Sequence, residues 1–130
     1  MANLTSGQAA ELAKNFLGLA QSIGNYRFSN WKKLTPEENK ELADKQWSIL
    51  EAGENILAES TTLLINEAAQ SIKQIQQVTE EIDNTILKLK KVQQVIDISA
   101  AIIALAGVII AKQPLAIPGA INNLIKAVKP

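Results

Sequence analysis

The chain has 130 residues, enough for one domain with a modest core. Its 13 acids balance its 13 bases, so no global field draws it to nucleic acid or to an acidic surface. It contains no Cys and no His, which excludes disulfides, thiolate nucleophiles, Cys/His zinc sites and the commonest acid–base catalyst.

The charge balance conceals segregation. Residues 34–67 hold eight acids against only Lys40 and Lys45, whereas the tail after Asp97 holds no acid and only Lys112, Lys126 and Lys129. The start of the chain, MANLTSGQAAELAKNF, has no basic region ahead of an apolar run. This predicts no Sec signal peptide and a cytoplasmic location, with membrane association left open by the apolar tail.

Thr5-Ser6-Gly7-Gln8 fits a capping box. Leu12, Phe16, Leu19 and Ile23 follow at helical spacing, and Gly24-Asn25 reads as a stop, so the first helix is expected over residues 6–24. A connector over 26–34 then carries a candidate interfacial cluster, Tyr26, Arg27, Phe28 and Trp31, with Lys32 and Lys33 beside it. Arg27 is the chain's only arginine, which argues against phosphate recognition and against a nucleic-acid partner.

Thr35-Pro36-Glu37-Glu38 is the clearest local signal: a capping Thr, Pro at the first helical position and Glu three residues on. From residue 37 to 113 there is no proline and only two glycines, Gly53 and Gly107. Apolar residues recur at 43, 47, 50, 57, 64, 68, 72, 75, 82, 86, 89, 92 and 96, a coiled-coil-like seam interrupted by Glu54, Thr61 and Thr79. An unbroken helix of this length would extend ~115 Å, too long for a chain of this size to bury. The long amphipathic region, 36–97, is therefore expected to break near 60–62 or 79–85, or else to stay long and self-associate, with at least one helix above about 30 residues.

Residues 98–111, ISAAIIALAGVIIA, are charge-free, and an apolar helix is predicted over 98–112. At ~21 Å the charge-free run is shorter than the ~30 Å hydrocarbon layer, which favours the core of a bundle. The competing reading is a membrane-active hairpin spanning 98–125 that turns at Lys112-Gln113-Pro114. Ile98, Ile102, Ile103, Leu105, Gly107, Val108, Ile109 and Ile110 form the candidate interaction or membrane segment. A short terminal helix is expected over 118–128.

The sequence thus predicts a single all-α domain over 1–130, a helical bundle or long helical hairpin with a coiled-coil-like seam. The acidic groupings Glu37/Glu38/Glu41 and Glu80/Glu81/Asp83 read as solvated faces. With no phosphate loop or nucleophile elbow, catalysis, a cofactor, a metal site and a small-molecule substrate are not expected. The expected function is non-enzymatic: self-association, or binding of a partner helix, through the apolar seam. The alternative is insertion of 98–125 into lipid. Long polar helices joined to an apolar hairpin resemble the layout of α-helical pore-forming toxins, an architectural likeness without matching motif residues.

Overall fold

The structure, a computed structural model, describes residues 3–59, 62–65 and 67–129. Among these residues the chain is an all-α bundle of five helices: α1 (Ser6–Ser29), α2 (Pro36–Ala58), α3 (Ala68–Thr85), α4 (Val92–Ile110) and α5 (Ile117–Val128). Short 3-10 turns at Ile86–Lys88 and Pro114–Ala116 precede α4 and α5.

Both capping boxes form as the local chemistry dictates. Gln8 N donates to Thr5 Oγ1 (3.0 Å) while Thr5 N donates to Gln8 Oε1 (3.1 Å). At α2, Glu38 N donates to Thr35 Oγ1 (3.1 Å) and Thr35 N to Glu38 Oε1 (2.9 Å). Each box satisfies two amide donors that a helix start leaves open.

The helices form a closed ring in the order α1, α2, α4, α5, α3. Gly18 faces Thr79, and Ser22 Oγ donates to Asp83 Oδ1 (3.2 Å), so α1 and α3 run in the same direction. α2 returns antiparallel to α1, with Arg27 beside Asn39 and Gln46, and Leu17 beside Gly53. A Cβ on Gly53 would lie 3.2 Å from Leu17 Cδ2 and 3.4 Å from the Ala13 carbonyl oxygen, so the missing side chain lets α1 and α2 approach closely. Phe16, Leu19, Ile23, Leu42, Ile49, Ile56, Ile75, Ile82, Ile98, Ile102, Leu105 and Ile109 build one continuous core.

Several sequence expectations change. α1 continues past Gly24 to Ser29 because Tyr26 is buried and Arg27 is held by α2; these contacts outweigh glycine's helix penalty of about 1 kcal/mol. Tyr26, Arg27 and Phe28 therefore belong to the helix and not to a connector. No helix above 30 residues occurs among the described residues; α1, at 24, is the longest. The break expected at 60–62 falls largely on Ser60 and Thr61, which lie outside the described residues; on either side α2 ends at Ala58 and α3 begins at Ala68. The other expected break, 79–85, is inside α3, and the chain turns instead over 86–91, where Ile86 is buried against the core. α4 begins at Val92, six residues ahead of the expected start at 98.

α4 ends in a Schellman motif. Lys112 takes the left-handed conformation (φ 59°), its N–H donates to the Ile109 carbonyl (3.1 Å), and Gln113 N donates to the Val108 carbonyl (3.0 Å). Pro114 and Pro118 follow and set α5 back against α4.

Two substitutions on α4 separate its faces. Ile102→Ala, at a fully buried position, is expected to lower the unfolding free energy by about 2–5 kcal/mol. Gly107→Ala, where a Cβ meets nothing within 4 Å, is expected to raise it by about 0.5–1 kcal/mol. Urea denaturation of both variants measures the difference.

Candidate functional site

The apolar segment has two faces. Ile98, Ile102, Leu105 and Ile109 are buried, Ile103, Val108 and Ile110 are half-buried, and Gly107 is exposed. Outward on the same helix lie Ala100, Ala104 and Gly107, with Ala111 just past its end, spaced by four, three and four residues. Inside the ring, helices of this same chain shelter the greasy third, with α2 and α5 on its flanks. A shallow hollow of about 230 Å³ separates α2 from α4, lined by Ser48, Glu51, Asn55, Ile103, Gly107 and Ile110 among others.

The interfacial cluster divides. Tyr26 is buried, and Arg27 bridges α1 to α2, its Nε donating to Asn39 Oδ1 (2.9 Å) and its Nη1 to Gln46 Oε1 (2.8 Å). Both side chains make contacts inside the bundle. Phe28 and Trp31 point outward, 84% and 59% exposed, and with Lys32 and Lys33 they line a notch of about 620 Å³.

The apolar seam also divides. Its positions in α3 and at the start of α4, Ile72, Ile75, Ile82 and Ile96, face the core. Its positions in α2 are mixed: Ala43 and Leu50 are half-buried, Leu50 packs against the edge of the core, and Trp47 is exposed. There the core takes a different row, Leu42, Ile49, Gly53 and Ile56, while Trp47 and Leu57 stand 68% and 53% exposed. Ala43, Trp47, Leu50, Glu54 and Leu57 follow one another at spacings of four, three, four and three, a heptad row beside Leu17 of α1 in which Trp47, Glu54 and Leu57 are exposed and Ala43 and Leu50 half-buried.

Helix directions gather charge at one end. The C-terminal ends of α1, α3 and α5 and the starts of α2 and α4 lie together: Gln94 Nε2 donates to the carbonyls of Ala127 and Val128 (3.4 and 3.5 Å), and Lys129 reaches Glu81 (3.7 Å). The segments there, 28–36, 84–94 and 122–129, contain seven lysines and no acid. Lys90 and Lys91 help line a second hollow of about 480 Å³. Sequence reading noted Lys32 and Lys33 but passed over Lys88, Lys90 and Lys91. The available signal was the run LKLKK, with no acid between Asp83 and Asp97.

Carboxylates are dispersed. Among the described residues no three of Asp, Glu, His or Cys are grouped closely enough to hold a metal ion. Glu80 and Asp83 border a groove of about 420 Å³ between α1 and α3, together with Lys14 and Asn15.

No family model, no curated protein and no solved structure matches the chain.

Burial pushes the Tyr26 phenol above its ordinary value of 10.0, and the Glu38 carboxylate adds to the rise. The folded state then holds this proton more tightly than the unfolded chain. The contribution is fully present below pH 10 and is lost as pH climbs through the raised value. Unfolding free energy measured from about pH 8 to about pH 11.5 should fall at the alkaline end, and Tyr26→Phe should remove part of that fall.

Proposed function

We propose that this chain is a non-enzymatic helical assembly protein whose outward α2 row pairs with the same row of a second copy. The observation carrying this reading is the exposure of Trp47 and Leu57 on the row Ala43, Trp47, Leu50, Glu54 and Leu57, which has coiled-coil spacing and gives the core only one flank of the half-buried Leu50. Exposed Leu17 widens it onto α1. Large side chains in one exposed stripe favour burial against another helix.

A two-fold axis through Leu50, with the two α2 helices antiparallel, sets Leu57 of one copy over Ala43 of the other. Large then meets small, and Glu54 is kept from its own equivalent. Parallel pairing would stack Glu54 on Glu54, a like-charge contact. An isologous arrangement of this kind closes as a dimer.

Light scattering on the intact protein should give twice the 14.1 kDa chain mass at high micromolar concentration. Trp47→Ala combined with Leu57→Ser should give a single-chain mass with unchanged helicity, since both side chains are mostly outside the core. A monomer at every concentration in the parent protein sinks the reading.

A second reading, insertion of 98–125 into lipid, gains one observation. α4 runs over the 19 residues Val92–Ile110, ~28 Å, rather than the expected 98–112, and by length and composition it is long and apolar enough to cross a membrane. Its buried face is shared with the core, so insertion requires the bundle to open. Gly107→Lys places a charge on the open face, compatible with the closed bundle, and is expected to abolish leakage of dye from vesicles. Leakage equal to that of the parent protein would argue against α4 as the inserting helix.

A further inference from the structure

We propose that the lysine-rich end of the bundle is a docking surface for an anionic lipid bilayer. The inference is independent of the α2 row, because it uses other residues at one tip of the molecule.

Three segments distant in sequence meet there. The α1–α2 connector supplies Lys32 and Lys33, the turn before α4 supplies Lys88, Lys90 and Lys91, and the end of α5 supplies Lys126 and Lys129. Acids border this end too: Glu37 and Glu38 in the first turn of α2, Asp97, which lines the hollow beside Lys90 and Lys91, and Glu81, which Lys129 reaches at 3.7 Å; the seven lysines outnumber these four. Lysines beyond helix C-termini offset the helix dipoles, and that accounts for some of this charge. It does not account for the apolar side chains set among them.

Phe28 is 84% exposed and Trp31 59%, and Leu87 in the turn before α4 is likewise open to solvent. Large apolar groups ringed by lysines are costly in water and well placed at a headgroup layer. There the aromatic rings sit at the interface while the ammonium groups meet lipid phosphates and carboxylates. The notch of about 620 Å³ beside Phe28 and Trp31 and the hollow of about 480 Å³ beside Lys90 and Lys91 open at this same end. The charge and the exposed rings therefore point one way. An anionic bilayer complements both, and each lysine brought to such a surface raises affinity about fivefold.

The two tryptophans make the test specific, since Trp31 is at the tip and Trp47 on the side of α2. The intact chain carrying Trp47→Phe reports from Trp31 alone, and Trp31→Phe reports from Trp47 alone. Each is mixed with vesicles of phosphatidylcholine, with or without phosphatidylserine, and followed by co-sedimentation and Trp emission.

The expected result is binding to phosphatidylserine-containing vesicles only, with a blue shift from Trp31 and none from Trp47. Binding should be released at about 0.5 M salt. Lys90→Glu with Lys91→Glu, both exposed and so compatible with the fold, should weaken binding at least about tenfold at unchanged helicity. Absence of binding, equal binding to neutral vesicles, or a Trp47 shift with Trp31 unmoved overturns the proposal. So does a Trp31 response to a DNA or RNA oligonucleotide without a response to phosphatidylserine.

Discussion

The bundle is organised around the need to keep one helix dry. After Asp97 the chain has no acid and no aromatic residue, and the 14 residues 98–111 carry no charge. A helix of that composition cannot stand free in water. Ile98, Ile102, Leu105 and Ile109 are accordingly buried, with α2 on one flank of α4 and α5 on the other. The sharp return at Lys112, left-handed and closed by hydrogen bonds to Ile109 and Val108, brings α5 onto α4 within a few residues. The core is supplied by the chain itself, so the exposed apolar residues elsewhere are surplus to the fold.

That surplus is unevenly placed. α2 has two apolar rows; the core takes Leu42, Ile49, Gly53 and Ile56 from one, with Ala52 beside them, and only the half-buried Leu50 from the other. The close approach at Gly53 presses α1 against this row and leaves Trp47 and Leu57 on the outside. Phe28 and Trp31 are likewise outside, although Tyr26 and Arg27, their immediate neighbours in sequence, are locked into the α1–α2 contact. One short segment therefore serves both packing and surface chemistry.

The all-α class and both helix starts at Thr5 and Thr35 were legible because capping is local: four residues contain the whole signal. The extent of α1 was not, since Gly24-Asn25 reads as a stop until the burial of Tyr26 and the grip of α2 on Arg27 are known. The turn at 86–91 was missed for the same reason, as it has no Pro or Gly and depends on Ile86 packing into the core. The α2 face was ambiguous in principle. Rows 42/49/53/56 and 43/47/50/57 both have helical periodicity, and only the neighbouring helices decide between them. The need of residues 98–111 for shelter is plain from their lack of charge, but periodicity does not reveal that Ile102 points inward and Gly107 outward.

The shared direction of α1 and α3 has an electrostatic price. Lys32 and Lys33, Lys88 to Lys91, and Lys126 and Lys129 are scattered through the extended polypeptide, and only tertiary assembly crowds them together. The native molecule thus harbours a mutual repulsion that the denatured chain largely escapes. Counter-ions gathered over that pole relieve it, which makes folding itself responsive to the ionic surroundings.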